Sequence, residues 1–279
     1  MMLRTFSIRE ELLNNFRAAF ARMWVRLRGA NRDPISLVAE IGLPILTIGA
    51  YVILYKAIGF PSTAGAAVII GGAMVAFWTN VLWNMSSQWF WEREQGNLEM
   101  YLVAPVSRMS ILLGMALGGG LNTAIRALGI VLLGIFVFQV PFQLRDPPLV
   151  GVVFVLTLVA LYALGMLFAS LFMLYGREAW NTANLLQEPV YFLSGAYFPG
   201  FYGPIVPGAI QVAGSLIPMT IGLDAIRRLA IGGGDIASVW LHIVALIACT
   251  LILFPIARRA LNYMESLGKK EGRLTLRWQ

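Results

Sequence analysis

The chain has 279 residues, of which 58% are hydrophobic and 13% are charged, and its mean hydropathy is +0.74. Soluble domains carry about 25% charged residues, so this composition excludes a soluble domain and is typical of helical membrane proteins. The single cysteine, Cys249, and the single histidine, His242, leave no intrachain disulfide and no cysteine metal site. The formal net charge of +7 raises the question of nucleic-acid binding.

Residues 1–33 are predicted to form an amphipathic helix at the membrane surface. Ser7 and Glu10 make a capping box, and the arginine-rich start lacks the apolar core of a signal peptide. Apolar residues recur on one side at helical spacing: Leu13, Phe16, Phe20, Met23, Trp24 and Leu27. Arg22 and Arg26 lie on the opposite side, where we expect them to face anionic head groups. A helix packed on a partner protein or on the rest of the chain is the alternative.

Six apolar stretches within residues 34–257 predict six transmembrane helices, since about 20 residues cross the hydrocarbon core. Their predicted ranges are 35–55, 66–90, 109–138, 149–174, 182–198 and 236–257. Gly114 and Gly118 form a G-x-x-x-G pair, which lets another helix approach closely. Prolines and glycines interrupt the apolar segment between the fifth and sixth spans, which predicts short re-entrant helices in the outer leaflet. Residues 258–279 form a basic cytoplasmic tail.

The positions of the basic residues predict the orientation. With both termini inside, sixteen of the 21 Lys and Arg residues lie on the inner side and four on the outer side. The positive-inside rule favours this arrangement, so the protein is predicted to be a multi-pass protein of the plasma (inner) membrane with both termini cytoplasmic. The charge of +7 therefore reflects topology, and no nucleic-acid partner is expected.

Arg126 is the one basic residue predicted to lie within a span. Such a charge costs about 2.5–3.5 kcal/mol on insertion scales and usually faces the bundle interior. We expect it to contact an anionic substrate or to form an ion pair with Glu188 or Asp224. A structural role, in which it reaches the head groups or backbone carbonyls, is the alternative.

A short polar interruption between the second and third spans contains a helical pattern. Leu98, Tyr101 and Leu102 fall on one helical face, Gly96 can open the turn before them, and Pro105 ends the helix. Three carboxylates accompany it: Glu92, Glu94 and Glu99. Their setting in a solvated loop favours a docking surface over acid–base chemistry. An ordinary cytosolic loop is the alternative interpretation.

This interruption resembles a motif of the ABC-2 family permeases, the membrane subunits of ATP-binding-cassette exporters. Residues 94–99 and 104–107 match the family pattern E-x-G-T-L-E…A-P-x-S, with Asn97 in place of the usual threonine. Residues 194–199 match the family's S-G-x-x-F-P element. The element P-x-x-x-x-x-D-x-x-R that follows in the family is matched by Pro218, Asp224 and Arg227 or Arg228.

The resemblance implies a coupling helix that docks on an ATPase subunit. Its docking residues are expected to be Glu92, Glu94, Gly96, Leu98, Glu99, Tyr101 and Leu102. The resemblance also implies two ATPase subunits, which use ATP and Mg, and a second permease chain, either identical or homologous. This chain has no G-x-x-x-x-G-K-[ST] phosphate loop, so we expect it to bind no cofactor and to catalyse no reaction itself.

The implied function is export of an amphipathic drug, a lipid-linked glycan or a polysaccharide, driven by ATP hydrolysis in the separate subunit. The alternative is a stand-alone secondary transporter or channel. Such transporters normally show buried carboxylates and repeated halves, whereas only Glu40 and Glu188 are placed within the predicted spans and no internal repeat is evident. A membrane enzyme is a third interpretation, which the lack of a catalytic constellation disfavours.

Overall fold

The computed structural model describes residues 8–30, 34–175, 178–198 and 206–271. Within these ranges every regular element is a helix, as the all-α prediction requires. In chain order the helices are α1 (Ile8–Ala30), α2 (Pro34–Ala57), α3 (Ser62–Thr79), a π-helical segment (Asn80–Met85), α4 (Gln88–Glu94), α5 (Leu98–Val103), α6 (Arg108–Phe138), α7 (Pro147–Tyr175), α8 (Glu178–Leu193), α9 (Gly208–Ser215), α10 (Pro218–Ala230) and α11 (Ile236–Lys270). Several residues used in the sequence analysis lie outside the described residues: Ser7, residues 31–33, Pro199 and the tail from 272.

Five helical stretches of the described chain are long and apolar enough to cross a membrane. They are Val38–Ala57, Ser62–Glu94, Arg108–Phe138, Pro147–Phe172 and Ile236–Lys270. They correspond to the first, second, third, fourth and sixth predicted spans. These stretches support a multi-pass membrane protein, with five candidate spans by length and composition.

The predicted fifth span does not form a full crossing helix. α8 has 16 residues and contains Pro189, so it is shorter than the roughly 20 residues that a crossing needs. Gly195 beyond it adopts φ 62°, a left-handed conformation that ends helices. The helices α9 and α10 together are also long and apolar enough for a sixth span. However, the chain bends by 100° between them. The segment between the fifth and sixth predicted spans thus forms two short helices, and their re-entrant placement in the outer leaflet stays a prediction.

α3 lies at the centre of the fold. Most of its residues are buried, because its sequence is apolar or small on all sides, as in a helix surrounded by others. α6, α2 and α10 pack around it, and α11 packs along α7 on the far side. α3 therefore places its polar continuation, the π-helical segment, inside the helical bundle.

α1 packs against α6 at the two glycines of the G-x-x-x-G pair. A Cβ at Gly114 would lie 2.2 Å from the carbonyl oxygen of Ala19, and one at Gly118 would lie 2.8 Å from that of Met23. Only glycine allows this approach, so the predicted close helix contact is confirmed, with α1 as the partner. The apolar stripe stays largely exposed on the other side of α1, with Phe16 69% exposed. The stripe is therefore available to contact a membrane or another protein, and its contact with the membrane stays a prediction.

The two outer motifs meet around Arg227. Its guanidinium donates hydrogen bonds to the carbonyl oxygens of Gly195 (2.9 Å), Ala196 (2.7 Å) and Ala67 (2.9 Å). These bonds connect α10 to the turn after α8 and to α3. Backbone carbonyls thus satisfy a charged group in the packed region, as buried polar groups require.

α11 continues past the predicted end of the last span at residue 257. Pro255 lies inside it without ending it, and the helix reaches Lys270. Leu261 and Glu265 are buried on this extension. The first part of the basic tail is therefore a helical continuation of the last span that packs on the protein.

Candidate functional site

The short helix α5 confirms the helix predicted over the polar interruption. Gly96 adopts φ 74° in the turn before it, a left-handed conformation that favours glycine. Ala104 ends the helix with extended backbone, ψ 138°, as a residue before proline prefers. The side chains of three predicted docking residues lie outside the described part of the chain: Leu98, Glu99 and Leu102. Their contacts with an ATPase stay predictions.

Glu92 is not an exposed docking carboxylate, and that prediction is wrong. Its exposure is 4%, and its carboxylate forms an ion pair with Arg22 of α1. It also accepts hydrogen bonds from the side-chain amides of Gln88 and Asn97, both at 3.1 Å. The reason is that α1 folds over α4 and brings a cation to this carboxylate. Arg22 accordingly faces the protein interior and not anionic head groups.

Tyr101 also faces its own chain. Its hydroxyl accepts a hydrogen bond from Arg22 at 2.7 Å, and its ring meets the edge of Trp89 with centroids 6.1 Å apart. Burial raises the pKa of this hydroxyl above its ordinary value, so it stays protonated. Tyr101 therefore anchors α5 to α1 and α4, which leaves other residues of α5 to meet a partner.

The outward surface of α5 carries apolar side chains that sequence reasoning did not select. Met100 is 66% exposed and Val103 is 86% exposed, and their spacing of three residues places them on one helical face. Glu94, one of the predicted docking residues, is half-exposed nearby in the sequence, with Arg93 4.0 Å from it. The exposed apolar pair therefore lies on a short helix whose other side is anchored by Tyr101.

Residues of α1 and α11 bond to the connection between α5 and α6. The side-chain oxygen of Asn15 in α1 accepts a hydrogen bond of 2.6 Å from the backbone N–H of Ser107, an N–H that would otherwise lack a partner at the start of α6. Arg108 forms an ion pair of 2.6 Å with Glu265 of α11, and Lys269 bonds the same carboxylate. A displacement of α5 would therefore act on α1, α6 and α11 together.

A cavity of about 540 Å³, called here the polar cavity, lies above this region between α1, α2, α4, α6 and the π-helical segment. Its charged residues are Arg22, Arg26, Glu40, Glu92 and Arg126. Its amide residues include Asn80, Asn84, Gln88, Gln95, Asn97 and Asn122. Asn80 and Asn122 are buried at 6% exposure each, so this polar lining continues into the bundle.

Arg26 is the cation of the polar cavity that lacks a carboxylate partner among the described residues. Its guanidinium donates one hydrogen bond, of 3.1 Å, to the side-chain oxygen of Gln88. Burial lowers the pKa of this guanidinium, and the neighbouring charge of Arg22 lowers it further. The nearby carboxylate of Glu92 acts in the opposite direction, but the net effect is a lowered pKa.

Arg126 forms an ion pair with Glu40 of α2, so the expected pairing with Glu188 or Asp224 is wrong. Asp224 instead pairs with Arg228 at 2.7 Å and with His242 at 2.8 Å. Glu188 is exposed on α8. The reason is the packing of α2 against α6, which brings Glu40 close to Arg126. Arg126, Glu188 and Asp224, which were predicted to line a pathway or to form an ion pair, therefore lie in different parts of the structure.

A second cavity of about 470 Å³, called here the aromatic cavity, adjoins the first. Tyr191 and Tyr197 line it together with apolar residues of α2 and α3, among them Leu43, Pro44, Val75 and Ala76. Four residues line both cavities: Glu40, Asn80, Asn84 and Arg126. The ion pair between α2 and α6 thus lies where a polar chamber meets a mostly apolar one.

Sequence reasoning missed most of the polar cavity, although one signal for it was present. Asn80, Asn84 and Gln88 recur every four residues at the end of the second span, which places three amides on one helical face within an apolar segment. Glu40 was recognised as a carboxylate within a span but was not connected to Arg126. Arg26 carried no signal of its own, because an arginine on an amphipathic helix normally faces water or head groups.

The fold and these cavities define a helical membrane protein with a polar cavity between its helices and a short exposed helix, α5, beside it. The sequence matches the family model described as "ABC-2 family transporter protein" over residues 55–259. It is 27% identical over 195 residues to the inner membrane transport permease YadH of Escherichia coli strain K12, which covers 69% of this chain and 74% of that protein. A Shigella flexneri protein of the same description matches to the same extent. The family match covers more than half of the chain, so the protein belongs to the ABC-2 family and is a membrane-spanning component of a transporter.

Proposed function

We propose that this chain is the permease subunit of an ABC exporter in the inner membrane, with both termini cytoplasmic. ATP hydrolysis with Mg in a separate ATPase subunit, present in two copies, drives export. A second permease chain, identical or homologous, completes the pathway. The cargo is an amphipathic compound, a lipid-linked glycan or a polysaccharide.

The observation that carries this proposal is the combination of anchoring and exposure in α5. One side of the helix is fixed through Tyr101 to Arg22 and Trp89, while Met100 and Val103 stay exposed. Large apolar residues that fill a partner's pocket commonly carry most of the energy of an interface. An anchored helix with a free apolar face fits the role of a coupling helix better than that of an ordinary loop.

The contacts around α5 also supply a route for motion. Ser107 and Arg108 at the start of α6 are held by Asn15 of α1 and Glu265 of α11. α6 in turn lines the polar cavity through Asn122 and Arg126. A push on α5 by nucleotide-dependent closure of two ATPase subunits would therefore reach the cavity through one continuous helix.

The test is co-purification of an ATPase subunit with the affinity-tagged chain from its host, together with ATP-dependent transport in proteoliposomes. Met100→Glu with Val103→Glu is expected to abolish co-purification and transport. Leu144→Glu, which changes a leucine that is 52% exposed in the loop predicted to be external, is the control and should leave both unchanged. Transport that persists without any co-purifying ATPase would overturn the proposal in favour of a secondary transporter.

A further inference from the structure

The polar cavity and the aromatic cavity differ in chemical character, and they adjoin each other at four shared lining residues. Charged and amide side chains line the first. Tyrosine rings and aliphatic side chains line most of the second. Glu40 and Arg126 form the boundary between them. A ligand that occupies both cavities must therefore be polar at one end and apolar at the other.

The charges of the polar cavity indicate which charge the polar end of such a ligand carries. Arg22 is paired with Glu92, and Arg126 with Glu40. Among the described residues, Arg26 has one hydrogen bond, to the side-chain oxygen of Gln88. Among the described residues that line it, the cavity thus holds three guanidinium groups and two carboxylates, an excess of one positive charge. One negative charge on the ligand compensates it with a charge-assisted hydrogen bond.

The amides of the polar cavity indicate which uncharged groups the polar end of the ligand carries. Each amide side chain offers both donors and acceptors, which suits hydroxyl groups because they also donate and accept. The volume of about 540 Å³ is within the range of sites for small molecules. It therefore accommodates a head group such as a glycerol phosphate or a sugar phosphate.

The aromatic cavity is placed to receive an apolar tail from the side of the protein. Leu43 and Thr47 of α2 line it and are both exposed. α2 carries further exposed apolar residues, including Val38 and Leu46, which form a surface suited to lipid. An acyl or prenyl chain can therefore pass between the lipid phase and this cavity without crossing water.

We propose that the two cavities together bind a membrane amphiphile whose head group carries a negative charge and hydroxyl groups. The head group lies in the polar cavity against Arg26, and the tail lies in the aromatic cavity beside Tyr191 and Tyr197. This inference names the substrate class of the exporter proposed above and rests on that function for the direction of transport. The binding itself is a property of this chain alone.

The test measures binding to the purified full-length chain in detergent micelles by thermophoresis, without any ATPase. The probes are dioctanoyl phosphatidylglycerol, which has an anionic head group with hydroxyls, dioctanoyl phosphatidylcholine, which has neither net charge nor hydroxyls, and glycerol 1-phosphate, which has no tail. Phosphatidylglycerol is expected to bind at least tenfold more tightly than the other two. Equal affinity for the two lipids would overturn the head-group assignment, and equally tight glycerol 1-phosphate would show a site for a free anion.

Two matched pairs of variants locate the site. Arg26→Gln should weaken phosphatidylglycerol binding about tenfold and leave phosphatidylcholine unchanged, while Arg17→Gln, at an exposed arginine of the same helix, should change neither. Thr47→Trp fills the aromatic cavity and should weaken both lipids, while Leu46→Trp, at the neighbouring exposed position outside the lining, should not. Identical behaviour of the two members of either pair would overturn the corresponding half of the site.

A measurement on the unaltered chain guards against misfolded variants. Phosphatidylglycerol affinity should fall as salt rises from 50 to 500 mM, because Arg26 contributes an electrostatic attraction, and phosphatidylcholine affinity should not. A salt-independent preference would contradict the role of Arg26. Because these assays contain no ATPase, failure of co-purification would overturn the exporter and leave the lipid site standing. If the ATPase co-purifies but the chain binds phosphatidylglycerol and phosphatidylcholine equally, only the proposed lipid site would be overturned.

Discussion

Arg22 of α1 forms an ion pair with Glu92 of α4, although 70 residues separate them in the sequence. The same guanidinium bonds the hydroxyl of Tyr101 in α5. One arginine thus connects the N-terminal helix α1, the end of the second candidate span and the short helix α5. α1 is therefore part of the structure that holds α5 in position.

The first prediction concerns the energy of this ion pair. Arg22→Met leaves a buried carboxylate without its cation, and it should lower the free energy of unfolding by about 1–3 kcal/mol. Glu92→Gln should have a smaller effect, because an amide oxygen can still accept from Gln88 and Asn97. The measurement is SDS titration of the purified chain in mixed micelles, with Arg17→Met as the control. The double variant should lose less than the sum of the single losses, and additivity within about 0.5 kcal/mol would contradict a direct pair.

The second prediction concerns the glycine contact between α1 and α6. Gly114→Ala places a Cβ within 2.2 Å of the Ala19 carbonyl oxygen, so α1 must move outward, at a cost of about 1–3 kcal/mol. Faster proteolysis of α1 and a lower melting temperature should report this. Gly151→Ala is the control, because nothing lies within 4 Å of a Cβ there. Equal stability of the two variants would mean that α1 packs elsewhere.

The third prediction concerns the exposed stripe of α1. Phe16 and Phe20 are 69% and 52% exposed, which suits the acyl boundary of a bilayer. Phe16→Glu with Phe20→Glu should lower transport several-fold while the spans still insert, as judged by membrane fractionation. A spin label at Phe20 should be shielded from water-soluble relaxants in the assembled transporter. Full accessibility there would contradict burial by membrane or protein.

The fourth prediction concerns topology, which the structure alone leaves open. With Cys249 replaced by serine, a cysteine at Thr63 should react with a membrane-impermeant maleimide in intact cells. A cysteine at Met100 should react only after permeabilisation. Both positions are exposed, so a difference in labelling reports the side of the membrane. External labelling at position 100 would overturn the predicted orientation.

The spans and the short helix could be predicted from sequence because their causes are local. Hydropathy over about 20 residues selects a crossing, and Gly96 and Pro105 bound α5 through their own backbone preferences. The glycine pair at 114 and 118 predicted a close helix contact by the same kind of argument. The fifth span failed because its length depends on where the chain turns at Gly195.

The partners of the charged groups depended on the tertiary structure. Arg126 pairs with Glu40, and Glu92 with Arg22, because an ion pair forms only between side chains a few ångströms apart. That distance depends on which helices are neighbours and how each is rotated about its axis. Local sequence determines a helix and its faces, but the helix that covers each face is chosen by the packing of the whole chain. The same packing encloses the polar cavity, which no single segment of the sequence could reveal.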